Sequence, residues 1–130
     1  MAKTILTTPK VAVPSGIMSQ GVKVPAGNMV FVSGQGGRNA QGEVAKGDIR
    51  AQTRQALENV KSVLEAAGAS MDDIVKVTVF VTNVAEQYAP IHEVRAEFFA
   101  KDYPASTLVE IKALAGPDLL IEIEAIAVTQ

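Results

Sequence analysis

Tyr103-Pro104-Ala105-Ser106-Thr107-Leu108-Val109-Glu110 and, further along, Leu119-Leu120-Ile121-Glu122-Ile123-Glu124-Ala125-Ile126-Ala127-Val128 decide how this chain folds. Both are rich in β-branched and aliphatic residues. The second alternates strictly enough to put Glu122 and Glu124 on one face and Ile121 and Ile123 on the other, the period-two pattern of a strand. They are assigned to two closing strands, Ser106–Leu114 and Leu119–Val128, joined by the turn formers Ala115-Gly116-Pro117-Asp118.

Upstream, Ile74 to Thr82 alternates in the same way, with Val75, Val77, Val79 and Val81 on one face and Lys76, Thr78, Phe80 and Thr82 on the other. Before it, Ile49, Thr53, Ala56, Leu57, Val60, Leu64 and Ala67 recur at the spacing of one helical face. Asp48 is the expected N-cap of that helix and Gly68 the residue that ends it. A second helix is expected from Pro90 to Lys101, because proline suits the first helical position and Ile91, Val94 and Phe98 form an inward stripe. Gly21–Val24 and Met29–Ser33 flank Pro25-Ala26-Gly27-Asn28 and read as a hairpin. The stretch from Gly34 to Gly42 reads as a loop.

The result is one domain over residues 1–130, of α/β (α+β) class, in the order β-β-α-β-α-β-β: a single sheet with two helices on one face. The uncovered face would then present Phe80, Leu108, Leu120, Ile126 and Val128 to water, more apolar surface than a small monomer normally exposes. Self-association is the expected remedy, and it places any cleft between subunits.

Composition excludes several classes. The formal charge is −2, and the 12 basic residues are scattered from Lys3 to Lys112, so no concentrated positive surface exists for a phosphate backbone. With no tryptophan and 5% aromatic residues there are few platforms for stacked bases. The absence of cysteine removes disulfides, thiolate metal sites and a cysteine nucleophile. No apolar run approaches a membrane span and the N-terminus has no signal-like core, so the expected setting is the cytoplasm, with neither membrane nor nucleic acid as partner. Gly34-Gln35-Gly36-Gly37 lacks the spacing and the lysine of a phosphate loop. No histidine pair or ligand cluster suggests a metal.

Taken with Gly16–Gly21, Gly27–Gln35, Ala51–Lys61 and Ile74–Val81, the two closing segments resemble the Rid/YjgF family of RidA-like enamine and imine deaminases over nearly the whole chain. The resemblance implies a chorismate-mutase-like fold, a homotrimer with three inter-subunit clefts, a small-metabolite ligand and no cofactor. Its deaminase members hydrolyse reactive enamines and imines released by pyridoxal-phosphate enzymes. By position it assigns Glu122 to orient or activate water, and Ser33 and Gly34 to contact ligand at the end of the second strand; Leu108 is counted among the substrate-binding residues.

Three positions depart from the pattern. Ser106 stands where the family carries the arginine that grips the substrate carboxylate, and a serine offers one hydrogen bond without charge, a loss of roughly 1.5–3 kcal/mol. Met18 stands where the deaminases usually show a cleft tyrosine. His92, the only histidine, stands where many members have an asparagine; as a first-turn helix residue it would be kept neutral by the helix dipole and serve as a base. Arg38, in the glycine-rich loop, is a candidate substitute for the missing cation, and arginine at position 106 is expected to raise activity on 2-iminobutanoate-like substrates. The bland alternatives are a solvated Glu122 paired with Lys112 across a hairpin, an idle surface His92 and a solvated Arg38. At the level of function, an imine or enamine hydrolase with altered substrate choice competes with a non-catalytic ligand-binding or chaperone-like module, and less strongly with an endoribonuclease.

Overall fold

The computed structural model describes residues 3–130. Strands β1 (Thr4–Leu6) and β2 (Gly21–Lys23) are followed by β3 (Asn28–Gly36), helix α1 (Ile49–Ala66), a short 3-10 turn at Met71–Asp73, β4 (Ile74–Val81), helix α2 (Val84–Phe98), β5 (Ala105–Glu110) and β6 (Ile121–Thr129). The main sheet has the order β3-β6-β4-β5, with β4 and β5 parallel and the other pairs antiparallel. Two helices thus lie on a mixed sheet, as the sequence implies.

The valine alternation of β4 meets the isoleucine–alanine alternation of β6 in register: Val77 faces Ala125, Val79 faces Ile123 and Val81 faces Ile121. All are buried against Leu57, Val60 and Leu64 of α1 and Ile91 and Val94 of α2. Each large aliphatic side chain so buried contributes roughly 1.5–3 kcal/mol. α1 begins where Asp48 accepts a hydrogen bond from the Ala51 amide, and it stops as Gly68 takes φ +72°, a conformation that a side chain would strain.

Four local expectations are corrected. β2 pairs with β1, an element the sequence reading missed, and so forms a separate two-stranded sheet instead of a hairpin with β3. β5 and β6 are not a hairpin either, because β4 lies between them; a parallel β4–β5 pair needs the α2 crossover. α2 starts at Val84, capped by Asn83 accepting from the Glu86 amide and by Glu110 accepting from the Val84 amide, so Pro90 lies inside the helix. Its missing N–H costs one intrahelical bond. Finally, Leu108 pairs with core Val79 and therefore faces the helices, and Val128 is buried. The open face instead exposes Met29 (58%) and Phe31 (68%) on edge strand β3.

Candidate functional site

On the open face, Glu122 of β6 lies opposite Phe80 of β4. Next to it, β3 shifts register between Val32 and Gln35, so Ser33 and Gly34 occupy a bulge. A bulge bends the strand and re-aims its residues. Here it brings the Gly34 backbone so close to Glu122 that a Cβ on Gly34 would stand 2.7 Å from the carboxylate carbon and from Oε1. Ser33 lines a groove of about 420 Å³ with Phe31, Lys76, Thr78 and Ile126. Lys76 Nζ donates to Thr107 Oγ1 at 2.7 Å.

α1 steadies both sides of this pair. Buried Gln52 donates from Nε2 to the Ala45 and Asp118 carbonyls and accepts from the Leu120 amide at 2.8 Å, which fixes the chain just before Glu122. Asn59 donates to the Gly36 and Arg38 carbonyls, which fixes the chain just after Gly34. Among the described residues, the Glu122 carboxylate has neither a hydrogen bond nor an ion-pair partner. The suggested Lys112 pair is ruled out because β5 and β6 are not neighbours.

The helix side carries a second constellation. A cavity of about 310 Å³ is lined by Ile17, Met18 and Val84, by Tyr88, His92 and Arg95 of α2, and by Ser106 and Leu108 of β5. Ser106 faces it because its register partner is core Val77. The Ser19 amide donates to the Pro104 carbonyl, holding the Ile17–Ser19 segment along the β5 edge.

His92 lies in the middle of α2, two turns from its start, so the dipole argument fails. It is nevertheless kept neutral: burial lowers its pKa, the Tyr88 carbonyl opposes this, and the charge of Arg95 lowers it further. Its Nδ1 is 3.0 Å from the Tyr88 carbonyl oxygen, which can only accept, so Nδ1 carries the proton and Nε2 keeps a lone pair. The ring stacks on Tyr88 with centroids 4.0 Å apart. Gly16 closes over both, since a Cβ there would meet His92 Nε2 at 2.6 Å and the Tyr88 hydroxyl at 3.1 Å.

The structure therefore gathers Met18, His92, Ser106 and Leu108 on one side of the sheet and Ser33, Gly34 and Glu122 on the other. Arg38 joins neither cluster: its guanidinium lies against Gly116, and the Ser106 cavity is lined without it. Sequence reasoning missed Tyr88 and Arg95. Their i, i+4, i+7 spacing with His92 marks one helical stripe, visible only if the helix begins before Tyr88.

An α+β domain with two helices on one face of a mixed sheet, a bulge beside an unpaired strand glutamate, and a helix-side cavity at the parallel edge defines a Rid-like scaffold. The chain belongs to the Rid/YjgF family: the family profile described as Endoribonuclease L-PSP matches residues 10–129. It is 45% identical to a RutC family protein of Pyrococcus abyssi and 42% identical to the 2-iminobutanoate/2-iminopropanoate deaminase of Escherichia coli K12, covering 98% of each chain in both cases. The crystal structure of YyfB, a Rid protein from Yersinia pestis, superposes with a TM-score of 0.87 at 35% identity, covering 99% of this chain and all of that one.

Proposed function

We propose that this protein is a cofactor-independent hydrolase of small imines or enamines, of the 2-imino acid type, working in clefts between the copies of a homotrimer. The observation that carries this reading is the division of the candidate residues between opposite faces of one sheet. A site that uses both Glu122 and Ser106 must draw them from two copies. Exposed Met29 and Phe31 on the open face supply apolar surface for such an assembly.

The chemistry asked of the cleft is modest. A protonated imine carbon is already electrophilic, so the protein needs to place a water, accept its proton and hold the substrate. Glu122 has its carboxylate free to orient the water, Ser33 and Ser106 offer hydroxyls, and His92 Nε2 is a neutral base. Water adds to the C=N carbon, the carbinolamine collapses, and ammonia leaves with formation of the 2-oxo acid.

The test is turnover of imines generated in situ, for wild type, Glu122→Gln and His92→Gln, followed by mixed trimers of the two variants. Wild-type turnover well above background, loss in each variant and partial recovery in mixed trimers are expected. Equal rates for wild type and Glu122→Gln on every substrate would end the enzyme reading. A second reading, a binding module without turnover, is favoured by the apolar walls Ile17, Met18, Val84 and Leu108, and its signature is calorimetric binding with no product. RNA cleavage by stringently purified protein would support the endoribonuclease alternative instead.

A further inference from the structure

Arg95 is 2% exposed, the largest fully buried side chain in the described structure. The other two arginines of the helical layer behave differently: Arg50 and Arg54 lie at the surface and pair with Glu93 and Glu97. Among the described residues, no carboxylate lies within ion-pairing distance of Arg95. A buried guanidinium without a counter-charge is costly, and folded proteins almost always pair such a group or give it a ligand.

Its hydrogen bonds to protein run through Nη2 alone, to the Ile17 carbonyl oxygen at 3.0 Å and Ser106 Oγ at 3.2 Å. Every side-chain nitrogen or oxygen sealed from solvent in the described structure has a partner, so the Arg95 donors without one are not fully sealed, and the residue lines the cavity beside Ser106. The Ile17 carbonyl fixes the fork on one side, and Phe99 lies beneath it, 6.0 Å from guanidinium carbon to ring centroid. Burial pulls the Arg95 pKa down to about 10, which leaves the group charged at neutral pH.

We propose that Arg95 is the anion-holding residue of this protein, gripping the carboxylate of a small acid in the Ser106 cavity with Ser106 Oγ as a second contact. The cation that sequence comparison looks for on strand β5 is supplied from helix α2, one hydrogen bond away. The ligand class follows from the lining: a single carboxylate for Arg95 and Ser106, a hydrogen-bonding substituent within reach of His92, and a short aliphatic chain against Met18, Val84 and Leu108. That the acid is a 2-imino acid rests on the hydrolase reading; that the site takes a carboxylate does not.

This placement reverses the expectation for position 106. An arginine added there would bring a second guanidinium against the first, so Ser106→Arg alone is expected to weaken carboxylate binding. Arg95→Met removes the charge and keeps an unbranched apolar stem, and the double variant Arg95→Met with Ser106→Arg returns one cation to the cavity from the strand.

The experiment is calorimetric titration of the wild-type oligomer and the three variants with 2-oxobutanoate and with its neutral counterpart 2-butanone. Wild type should bind the acid at least about 10–100-fold more tightly than the ketone, the worth of a charge-assisted hydrogen bond. Arg95→Met should lose that preference while keeping ketone affinity, Ser106→Arg should bind the acid more weakly than wild type, and the double variant should recover it in part. Equal affinity of wild type for acid and ketone overturns the proposal whether or not any variant folds. Undiminished acid binding by a folded Arg95→Met overturns it too. Acid binding that depends on Arg95 without imine turnover would sustain this proposal and sink the hydrolase reading; turnover with no carboxylate preference would do the reverse.

Discussion

Gly34→Ala separates the placement of Glu122 from its presence. Gly34 does not have positive φ, so alanine carries no backbone penalty there. Its Cβ would nevertheless stand 2.7 Å from Glu122 Oε1, about 0.7 Å inside ordinary contact. The obstructing atoms are the end of a flexible side chain with no hydrogen bond among the described residues to hold it, so the carboxylate rotates away at little cost. Stability should change by less than ~1 kcal/mol, the range for substitutions at accessible positions. Activity should not escape so lightly, because a displacement approaching 1 Å in a positioned group costs on the order of 10²-fold. Imine turnover by Gly34→Ala should therefore fall roughly 10–100-fold, near the level of Glu122→Gln, with an unfolding midpoint close to wild type. Wild-type turnover by Gly34→Ala would refute the reasoning, since it would mean that the position of Glu122 does not matter to the reaction.

Gln52→Ala should cost about 2–4 kcal/mol in urea denaturation, because it strands the Leu120 amide and the Ala45 and Asp118 carbonyls around a fully buried position; a loss under ~1 kcal/mol would show that the loop finds other partners. Gly16→Ala should push the His92 ring off Tyr88 and into water, and NMR titration of this sole histidine should then show its pKa rising toward the ordinary value. The lowered pKa of His92 also has a consequence for stability. The unfolded chain takes up the proton more readily than the native one, so this contribution is fully present above the ordinary histidine value near ~6.5 and is lost as pH falls through the lowered native value. Thermal midpoints of wild type should drop faster than those of His92→Gln between about pH 7 and 5, and parallel curves would show that His92 is not the group responsible.

Strand and helix identity was legible wherever a period repeated long enough. Val77, Val79 and Val81 of β4, the glutamate–isoleucine alternation of β6 and the apolar face of α1 each lie where their pattern puts them, whereas a register shift at the start of β4 puts Ile74 in the core and leaves Val75 half-buried. Pairing was not legible. β2 and β3 are separated by turn formers, yet β2 pairs with β1, because three-residue strands carry no periodicity from which to infer a partner. The same limit placed Leu108 on the wrong face: alternation says which residues share a side of β5, and only the parallel register with β4 says which side is covered.

The residues of the candidate site were legible on the strands and hidden on the helix, and Pro90 explains the difference. Proline favours the first turn of a helix, so a start at Pro90 is the natural reading and leaves Tyr88 outside the element. Two caps outweigh that preference, Asn83 on the Glu86 amide and Glu110 reaching from β5 to the Val84 amide, and the second is a tertiary contact that no local pattern can display. Once α2 begins at Val84, Tyr88, His92 and Arg95 fall on one stripe beside the buried Ile91 and Val94. The arginine is then no longer a surface charge, because that stripe faces Ser106 across a cavity. Position 106 and position 95 have to be read as a pair, because Arg95 Nη2 donates to Ser106 Oγ at 3.2 Å: the serine on the strand has its charged partner on the helix, a contact between two elements that no local pattern can display.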